Sequence, residues 1–309
     1  MILCVAPNPA VDRTARVKRI VLDSILRPEQ SIALAGGKGA NVARAAHRLG
    51  AEVITAGVAG GHAGRWLVEM LAAEDLAPHF VSSGVETRTA YVVVGGDGHS
   101  VMVYESGDAQ PQGAYDQLLA VIRRDLLPRA SYVAVAGSVP PGVDPSWIGE
   151  VVAAAHAASV PCLVDARGPS LRAGLERRPD ILKANESEIA DAGLGDAHGR
   201  PAALARAAVR AGAGACVVTL AARGAVACTS EQSFRVSVPA QHAVNGVGAG
   251  DAFTAGMVVA LDRGESFEKA LVRAAAAAAA SVLELGAGHL DPAKANDLER
   301  RVRVRKMVV

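Results

Sequence analysis

The chain has 309 residues, half of them hydrophobic but only 3% aromatic, so its length allows a large core built mainly from Ala, Val and Leu. Its 32 basic and 31 acidic residues leave a net charge of +1, which gives no support to a general nucleic-acid-binding surface. The longest apolar run, 274–280, is an alanine tract too short to cross a membrane and is better explained as a packed helix.

The N-terminal run and the cysteines indicate the compartment. Residues 1–6 are apolar without a basic segment before them, so we predict a first β-strand rather than a signal peptide. The four cysteines have no metal-ligand spacing, and the eight histidines form no HExxH-type cluster. These features predict a reduced, cytoplasmic protein without a structural metal.

Strand-like and helix-like stretches alternate along most of the chain. The predicted strands are 1–6, 53–58, 132–136, 162–165 and 215–220. The predicted helices are 40–49, 64–73, 115–127, 147–158, 202–211, 252–261 and 267–283. This alternation predicts an α/β protein in which a mostly parallel sheet carries helices on both faces.

Two segments, 11–34 and 88–104, break this alternation with β-rich, half-polar patterns such as T-A-Y-V-V-V and S-V-M-V-Y. The G-G-D-G at 95–98 is typical of a hairpin turn. We interpret the two segments as a small extra sheet that covers a site at the strand ends and excludes water. An ordinary surface hairpin explains these segments alone nearly as well.

A glycine-rich turn with glycines at 246, 248 and 250 leads into the predicted helix 252–261. Glycines let the backbone approach a ligand closely, and a helix start presents free amides, so the turn predicts an anion site. Phe253 excludes the dinucleotide fingerprint, and no Lys-Ser or Lys-Thr completes a Walker A loop. Asp251 in the first helical turn either complements the helix dipole or serves phosphoryl transfer.

A second glycine cluster, A-G-G-K-G-A-N-V-A-R at 35–44, brings Lys38 and Asn41 to another helix start. These groups suit a substrate with hydroxyls and a phosphate, although a tight turn with a solvated lysine is the simpler alternative. Asp12 could accept two sugar hydroxyls or cap a loop. Asn185 and Glu188, three residues apart, suit Mg²⁺ through waters or begin a surface helix.

Together these motifs resemble the ribokinase-like (PfkB) sugar kinase family. The N-P-A-x-D start, G-G-K-G-x-N-V-A-R, G-S-x-P-P-G at 137–142, N-x-x-E and G-A-G-D are similar to its 1-phosphofructokinase and tagatose-6-phosphate kinase branch, and they are collinear over nearly the whole chain. The resemblance implies a doubly wound, mostly parallel sheet in one kinase domain, 1–309. It also implies a small β lid formed by about 11–34 and 88–104.

The resemblance implies a role for each matching residue. Asp251 would be the base, and amides around Gly248, Ala249 and Gly250 would form the anion hole. The implied ATP and Mg²⁺ residues are Lys183, Asn185, Thr219 and Gly224 for ATP, and Asn185 and Glu188 for Mg²⁺. The implied sugar-phosphate residues are Asp12, Gly37, Lys38, Asn41 and Ser138 for the sugar, and Arg27 and Arg88 for its phosphate. Relatives often pair such lids in a homodimer.

Several positions depart from the family pattern. They are Gly246 for Thr, Ala221 for Gly, Ala184 for Pro, Ala90 for Asn, and Y-E-S-G at 104–107 for N-x-P-G. These departures bear on the substrate more than on the reaction.

The resemblance favours an ATP-dependent kinase of fructose 1-phosphate, with tagatose 6-phosphate or fructose 6-phosphate as alternatives. Lys38 favours a phosphorylated substrate over a neutral sugar or nucleoside, because a neutral substrate would leave its charge unpaired. A non-catalytic nucleotide- or sugar-phosphate-binding regulator is the second reading, and the retained Asp251 argues against it. A dinucleotide oxidoreductase is third, and the missing G-x-G-x-x-G argues against it.

Overall fold

The computed structural model describes residues 1–195 and 200–307. The strands are β1 (Ile2–Ala6), β2 (Ala10–Val17), β3 (Gln30–Gly36), β4 (Val53–Ala59), β5 (Pro78–Ser82), β6 (Thr89–Gly95), β7 (Ser100–Tyr104), β8 (Tyr132–Ala136), β9 (Cys162–Asp165), β10 (Ile181–Asn185), β11 (Ala215–Thr219), β12 (Ala225–Thr229), β13 (Ser233–Ser237) and β14 (Arg303–Met307). The helices are α1 (Lys38–Arg48), α2 (Gly61–Ala73), α3 (Gln112–Val121), α4 (Ser146–Ala157), α5 (Gly168–Glu176), α6 (Glu186–Asp191), α7 (Pro201–Arg210), α8 (Ala249–Asp262), α9 (Phe267–Ser281) and α10 (Pro292–Glu299).

The large sheet has the strand order β14-β13-β12-β11-β10-β9-β8-β1-β4-β5. Every pairing from β11 to β5 is parallel, whereas β12, β13 and β14 form an antiparallel edge. Buried side chains fill both faces, one against α1, α8 and α9 and the other against α3, α4 and α7. Central strands covered on both sides are apolar throughout. The predicted doubly wound α/β fold is confirmed.

Several predicted boundaries differ from the structure. The predicted helix 115–127 is α3 followed by a π-helical turn, Ile122–Leu126, and a 3₁₀ turn, Leu127–Arg129. Pro128 explains this change, because a proline inside an α-helix lacks the amide that the helical pattern requires. The helices α5 and α10, the parallel strands β5 and β10, and the antiparallel edge strands were not predicted.

The small sheet has the order β3-β2-β6-β7, so the predicted extra sheet is present. Only the two ends of segment 11–34 are strands, and 18–29 is a connection without regular structure. Asp12 pairs in register with Ala90, which pairs with Tyr104, so these three residues lie on one face of the sheet. Tyr91 and Val103 lie on the opposite face.

The parallel strands end at one edge of the large sheet, where α1 and α8 begin. A crevice outside the carboxyl ends of the strands is where ligands bind in sheets of this type. Within residues 1–195 and 200–307, no helix has the length and apolar character needed to cross a membrane.

Candidate active site

The turn before α8 has a conformation that requires glycine. Gly248 caps the helix with φ 86°, and a Cβ at this position would lie 2.9 Å from the Cα of Ala287. The chain therefore needs both a left-handed residue and close backbone packing here. The first turn of α8 points its amides into the crevice, and such amides bind anions.

Asp251 lies in that first turn and is buried. Its Oδ2 accepts a 2.8 Å hydrogen bond from Nδ2 of Asn41 on α1. Burial and the neighbouring Asp165 carboxylate raise the pKa of Asp251 to about 7, against the opposing effect of Lys38, Lys183 and the Asn41 bond. A carboxylate with a pKa near neutrality is suited to accept a proton from a hydroxyl.

Asp165, at the end of β9, organises the charges of the site. It is fully buried, and it accepts hydrogen bonds from Lys183 Nζ at 2.7 Å, Lys38 Nζ at 2.8 Å and Thr254 Oγ1 at 2.9 Å. Burial acts to raise its pKa, but the two ammonium groups overcome this effect and lower it to about 2. Asp165 therefore stays ionised and anchors both lysines.

Lys38 is paired with two carboxylates, whereas we expected its charge to be available for a substrate phosphate. Its Nζ donates to Asp165 and, at 2.7 Å, to Oε1 of Glu188, and these carboxylates raise its pKa although burial opposes them. The idea that Lys38 lacks a partner without an anionic substrate is therefore wrong. The two carboxylates balance its charge on the side of the crevice formed by β9 and α6.

Asn185 and Glu188 form a capping box at the start of α6. Asn185 Oδ1 accepts from the Glu188 amide at 2.9 Å and from Ser187 Oγ at 2.7 Å, while Glu188 Oε2 accepts from the Asn185 amide at 2.9 Å. Because these oxygens already have protein partners, the pair fits Mg²⁺ held through water molecules rather than by direct ligation. No cluster of three or more His, Cys, Asp or Glu side chains suited to a metal occurs in residues 1–195 and 200–307.

Lys183 and Thr219 lie beside this capping box. Thr219 pairs in register with Asn185 across β10 and β11, and its hydroxyl donates to the Ala184 carbonyl at 3.5 Å. Lys183 Nζ lies 2.9 Å from where a Cβ on Gly250 would stand. Glycine at position 250 therefore lets the ammonium group approach the first turn of α8.

Gly224, with φ 85°, follows the 3₁₀ turn Ala221–Arg223. Ala221 itself adopts φ 50°, a left-handed conformation that glycine takes without steric cost. This conformation is a physical reason for the glycine expected at position 221.

Asp12, on β2 of the small sheet, and Arg88, just before β6, lie close to each other. Burial raises the pKa of Asp12 to about 6, although Arg44, Arg88 and the Gly37 amide oppose the rise. Arg88 donates from Nε to Asn8 Oδ1 at 2.9 Å and from Nη1 to the Glu105 carbonyl at 3.2 Å. It thereby joins the chain before β2 to the chain after β7.

The resemblance implies Arg27 and Arg88 for the substrate phosphate, but the structure brings a different arginine, Arg167, near Arg88. The charged groups acting on Arg88 are Asp12, Tyr104, Arg167 and Glu105, whereas Arg27 is exposed in the 18–29 connection. The backbone of Arg167 is fixed by Ser138, whose hydroxyl donates to the Arg167 carbonyl and accepts from its amide, both at 3.3 Å. Within one subunit the structure thus brings Arg167, not Arg27, near Arg88.

Comparison with known proteins identifies the family. A sequence model described as pfkB family carbohydrate kinase matches residues 7–294. The chain belongs to the PfkB family. It is therefore a carbohydrate kinase, an enzyme that transfers a phosphoryl group.

Solved structures of kinases are similar over nearly the whole length of this PfkB chain. Phosphofructokinase-2 from Escherichia coli, in complex with fructose-6-phosphate, has 26% identity and a TM-score of 0.84, with 97% of this chain and 98% of that chain covered. A possible 1-phosphofructokinase from Thermotoga maritima has 22% identity, a TM-score of 0.87 and 100% coverage of both chains. Ribokinase from Arabidopsis thaliana, complexed with ribose and ATP, has 24% identity, a TM-score of 0.74 and coverage of 97% and 98%.

Sequence reasoning assigned no role to four polar residues of this kinase's crevice. They are Asp165, Thr254, Arg44 and Arg167. Asp165 was detectable, because it is the last residue of a predicted parallel strand, where ligands of such sheets bind. Thr254 and Arg167 depend on contacts between distant segments, for which the sequence holds no local signal. Arg44 lies within the G-G-K-G-x-N-V-A-R motif and three residues from Asn41, but its burial depends on distant segments.

Proposed function

We propose that this kinase uses ATP and Mg²⁺ to phosphorylate a sugar phosphate, first fructose 1-phosphate, giving fructose 1,6-bisphosphate. The observation that carries this proposal is the position of Arg88. Its part-buried guanidinium is close enough to Asp12 and Arg167 for the charges of both to act on it. Two guanidinium groups that repel each other favour a dianionic phosphate between them.

Asp251 removes the proton from the accepting hydroxyl in the proposed mechanism. Its raised pKa lets it hold that proton near neutral pH. The first-turn amides of α8 and the Lys183 ammonium stabilise the negative charge of the phosphoryl group in transfer. Asn185 and Glu188 would hold Mg²⁺ through waters beside the nucleotide, where a bound Mg²⁺ supplies charge neutralisation for the phosphates.

The sugar hydroxyls have a distinct set of proposed partners. Asp12 supplies carboxylate oxygens from the small sheet. Ser138, which follows β8, and the amide of Gly37, which precedes α1, supply further hydrogen-bonding groups. For the nucleotide, Thr219 and Gly224 complete the side that contains Lys183 and Asn185. Buried free cysteines fit a reducing compartment such as the cytoplasm.

Two observations bear on the alternatives. The E. coli relative is complexed with fructose-6-phosphate, which keeps this sugar phosphate as the second candidate, with tagatose 6-phosphate third. A regulator without activity would have no use for a buried carboxylate whose pKa is raised to about 7 beside an anion-binding turn.

We also propose that the kinase forms a homodimer through the small sheet. Strand β7 is exposed along its whole length, including Val101, Met102, Val103 and Tyr104. A contiguous exposed apolar patch on an edge strand is a liability unless another surface covers it. A second copy of this chain supplies a matching patch.

The proposal is tested by measuring ADP release in a coupled assay. The panel contains fructose 1-phosphate, fructose 6-phosphate, tagatose 6-phosphate, free fructose, ribose and a nucleoside. We expect the highest kcat/KM with fructose 1-phosphate. Equal or higher kcat/KM with an unphosphorylated acceptor would overturn the assignment to sugar phosphates, and a higher value with another hexose phosphate would replace fructose 1-phosphate.

A further inference from the structure

Arg44, on α1, is among the largest side chains that are fully buried in the molecule, with 1% of its surface exposed. A buried guanidinium is destabilising unless its donors are satisfied. Glu74, at the end of α2, accepts from Nε at 2.5 Å and from Nη2 at 2.8 Å. The remaining bonds run to Asn41 Oδ1 at 3.2 Å, the Ala287 carbonyl at 3.1 Å and the Ala35 carbonyl at 2.6 Å.

The bond to Asn41 determines which end of that amide faces Asp251. Asn41 and Arg44 are three residues apart on α1 and share a helix face. Because a guanidinium can only donate, it binds the amide oxygen and leaves Nδ2 directed at the Asp251 carboxylate. A flipped amide would set its NH₂ group against the guanidinium and its oxygen against the carboxylate, and both contacts are repulsive.

The bond to Ala287 supports the turn before α8 from behind. Gly248 packs so closely on Ala287 that a Cβ there would lie 2.9 Å from the Ala287 Cα. The next residue, Gly288, packs against the Asn41 backbone in the same way. The third backbone bond reaches Ala35, near the end of β3 in the small sheet. One side chain therefore connects the base, the anion-binding turn and the small sheet.

We propose that Arg44 is a positioning residue for phosphoryl transfer, which holds Asn41 as a hydrogen-bond donor to Asp251 and fixes the base relative to the anion-binding turn. The proposal rests on the assignment of Asp251 as the base. In this role Arg44 does not touch a substrate but acts through the residues that it bonds, chiefly Asn41 and Ala287.

The charged groups around Arg44, Asn41 and Asp251 limit which variant is informative. Asp251 faces Asp165, Lys38, Lys183 and the Tyr104 phenol. Arg44 faces Glu74, the Asp12 carboxylate and His289, and burial lowers the pKa of His289 to about 4. Removing the positive charge of Arg44 would also perturb Asp12. Arg44→Lys keeps the charge but cannot make the same set of bonds, so it isolates the effect of geometry.

The test measures kcat and its pH dependence for Arg44→Lys in the full chain. We expect kcat to fall by about 10-fold or more while the KM values for ATP and the sugar phosphate change less than about threefold. The acidic limb of the profile of kcat against pH should move to higher pH by about one unit. The reason is that losing a hydrogen bond to the ionised carboxylate raises the pKa of Asp251. Asn41→Ala should move the limb equally, and the double variant should move it no further.

A second variant covers the case in which Arg44→Lys does not fold. Glu74→Gln alters the far side of Arg44, and we expect a smaller shift of the acidic limb in the same direction. The matched control is Arg273→Lys, since Arg273 is a half-buried arginine paired with Glu265 at 2.8 Å and Glu299 at 3.4 Å. It should leave the pH profile unchanged.

The outcomes separate this proposal from the base assignment. Normal turnover of Asp251→Asn would refute both the assignment of Asp251 as the base and the proposed role of Arg44. An inactive Asp251→Asn, with folded Arg44→Lys or Glu74→Gln keeping wild-type kcat and pH dependence, would overturn the role of Arg44 alone. Additive effects in the double variant would also overturn it.

Discussion

Asp165 and Asp251 are two buried carboxylates in one crevice whose surroundings separate their pKa values. Two lysine ammonium groups keep Asp165 ionised, whereas burial and Asp165 itself raise the pKa of Asp251 to about 7. Such separation assigns different tasks to chemically identical groups. Asp165 holds the lysines, and Asp251 has the pKa that the proposed base requires.

The role of Asp251 predicts the behaviour of Asp251→Asn. An asparagine can still accept the bond from Asn41, but it cannot take a proton, so kcat should fall by about 10²–10⁴-fold while sugar-phosphate binding survives. Because the base must be deprotonated, wild-type kcat/KM should rise with pH through about 7, and the variant should lose this rise. ADP release and calorimetric binding provide the measurements.

Asp116→Asn is the control for this experiment, because Asp116 is exposed on α3 and bonds only Gln112 among the described residues, at 2.9 Å. Near-normal turnover of Asp251→Asn would refute the proposed base.

Glu188→Gln tests the proposed metal side of the crevice. Glutamine keeps an oxygen for the Asn185 amide, so the cap of α6 survives, but the negative charge facing Lys38 and a hydrated Mg²⁺ is lost. The Mg²⁺ concentration for half-maximal activity should rise by about 10-fold or more, as for other residues that bind a metal through water. Glu186→Gln, an acid of the same turn paired with Arg223 at 2.6 Å, is the control. An unchanged Mg²⁺ titration would exclude Glu188 from the metal site.

Several residues of the candidate site lie at the starts of helices rather than in their middles. Helices α1 and α8 begin after glycines with positive φ, 85° at Gly37 and 86° at Gly248, and α6 begins with a capping box. All three starts lie where parallel strands end, so their amides and first-turn side chains point into one crevice. Asp12 on β2 and Tyr104 on β7 bring the small sheet to the same crevice.

Arg88 links this small sheet to the proposed phosphate site, because it bonds Asn8, just before β2, and the Glu105 carbonyl, just after β7, at one end of the sheet. Arg88→Ala should lower kcat/KM for fructose 1-phosphate by about 100-fold, through loss of a charge-assisted bond, and should affect free fructose far less. Parallel assays of both acceptors measure the difference. Arg177→Ala, at an exposed ion pair with Glu150 at 2.7 Å, is the control. An equal loss for both acceptors would mean that Arg88 only supports the sheet.

The whole molecule combines a large sheet buried on both faces with a small sheet that leaves one edge strand exposed. The dimer proposed for this edge predicts that the wild-type chain sediments at twice its mass of 31.5 kDa. Val103→Lys should shift the protein to the mass of one chain, because Val103 is 57% exposed on β7 and faces away from Tyr104. Sedimentation equilibrium measures both masses.

Ala157→Lys adds the same charge at the exposed end of α4 and should leave the dimer intact. A wild-type chain that sediments as one copy would refute the proposed assembly.

Local patterns determined most of the fold and the centre of the site. Alternating apolar periods identify most of the parallel strands and their helices, because each element must bury one face or both. The parallel strands β5 and β10 were missed. The glycine-rich turns and Asp251 were visible because a helix start that binds an anion requires specific residues at adjacent positions. The collinear motifs then indicated the family, which the comparison confirmed.

Only the tertiary structure decided which side chains act as partners. Lys38 lies 127 residues from Asp165 and 150 from Glu188 along the chain, and no periodicity records such contacts. Arg44 looks like any helical arginine until packing buries it between Asn41, Glu74 and Ala287. The outermost antiparallel strand, β14, is likewise placed by pairing with β13, a segment far from it along the chain. Local sequence specifies backbone conformation and burial, whereas partners across a crevice are chosen by how distant elements pack.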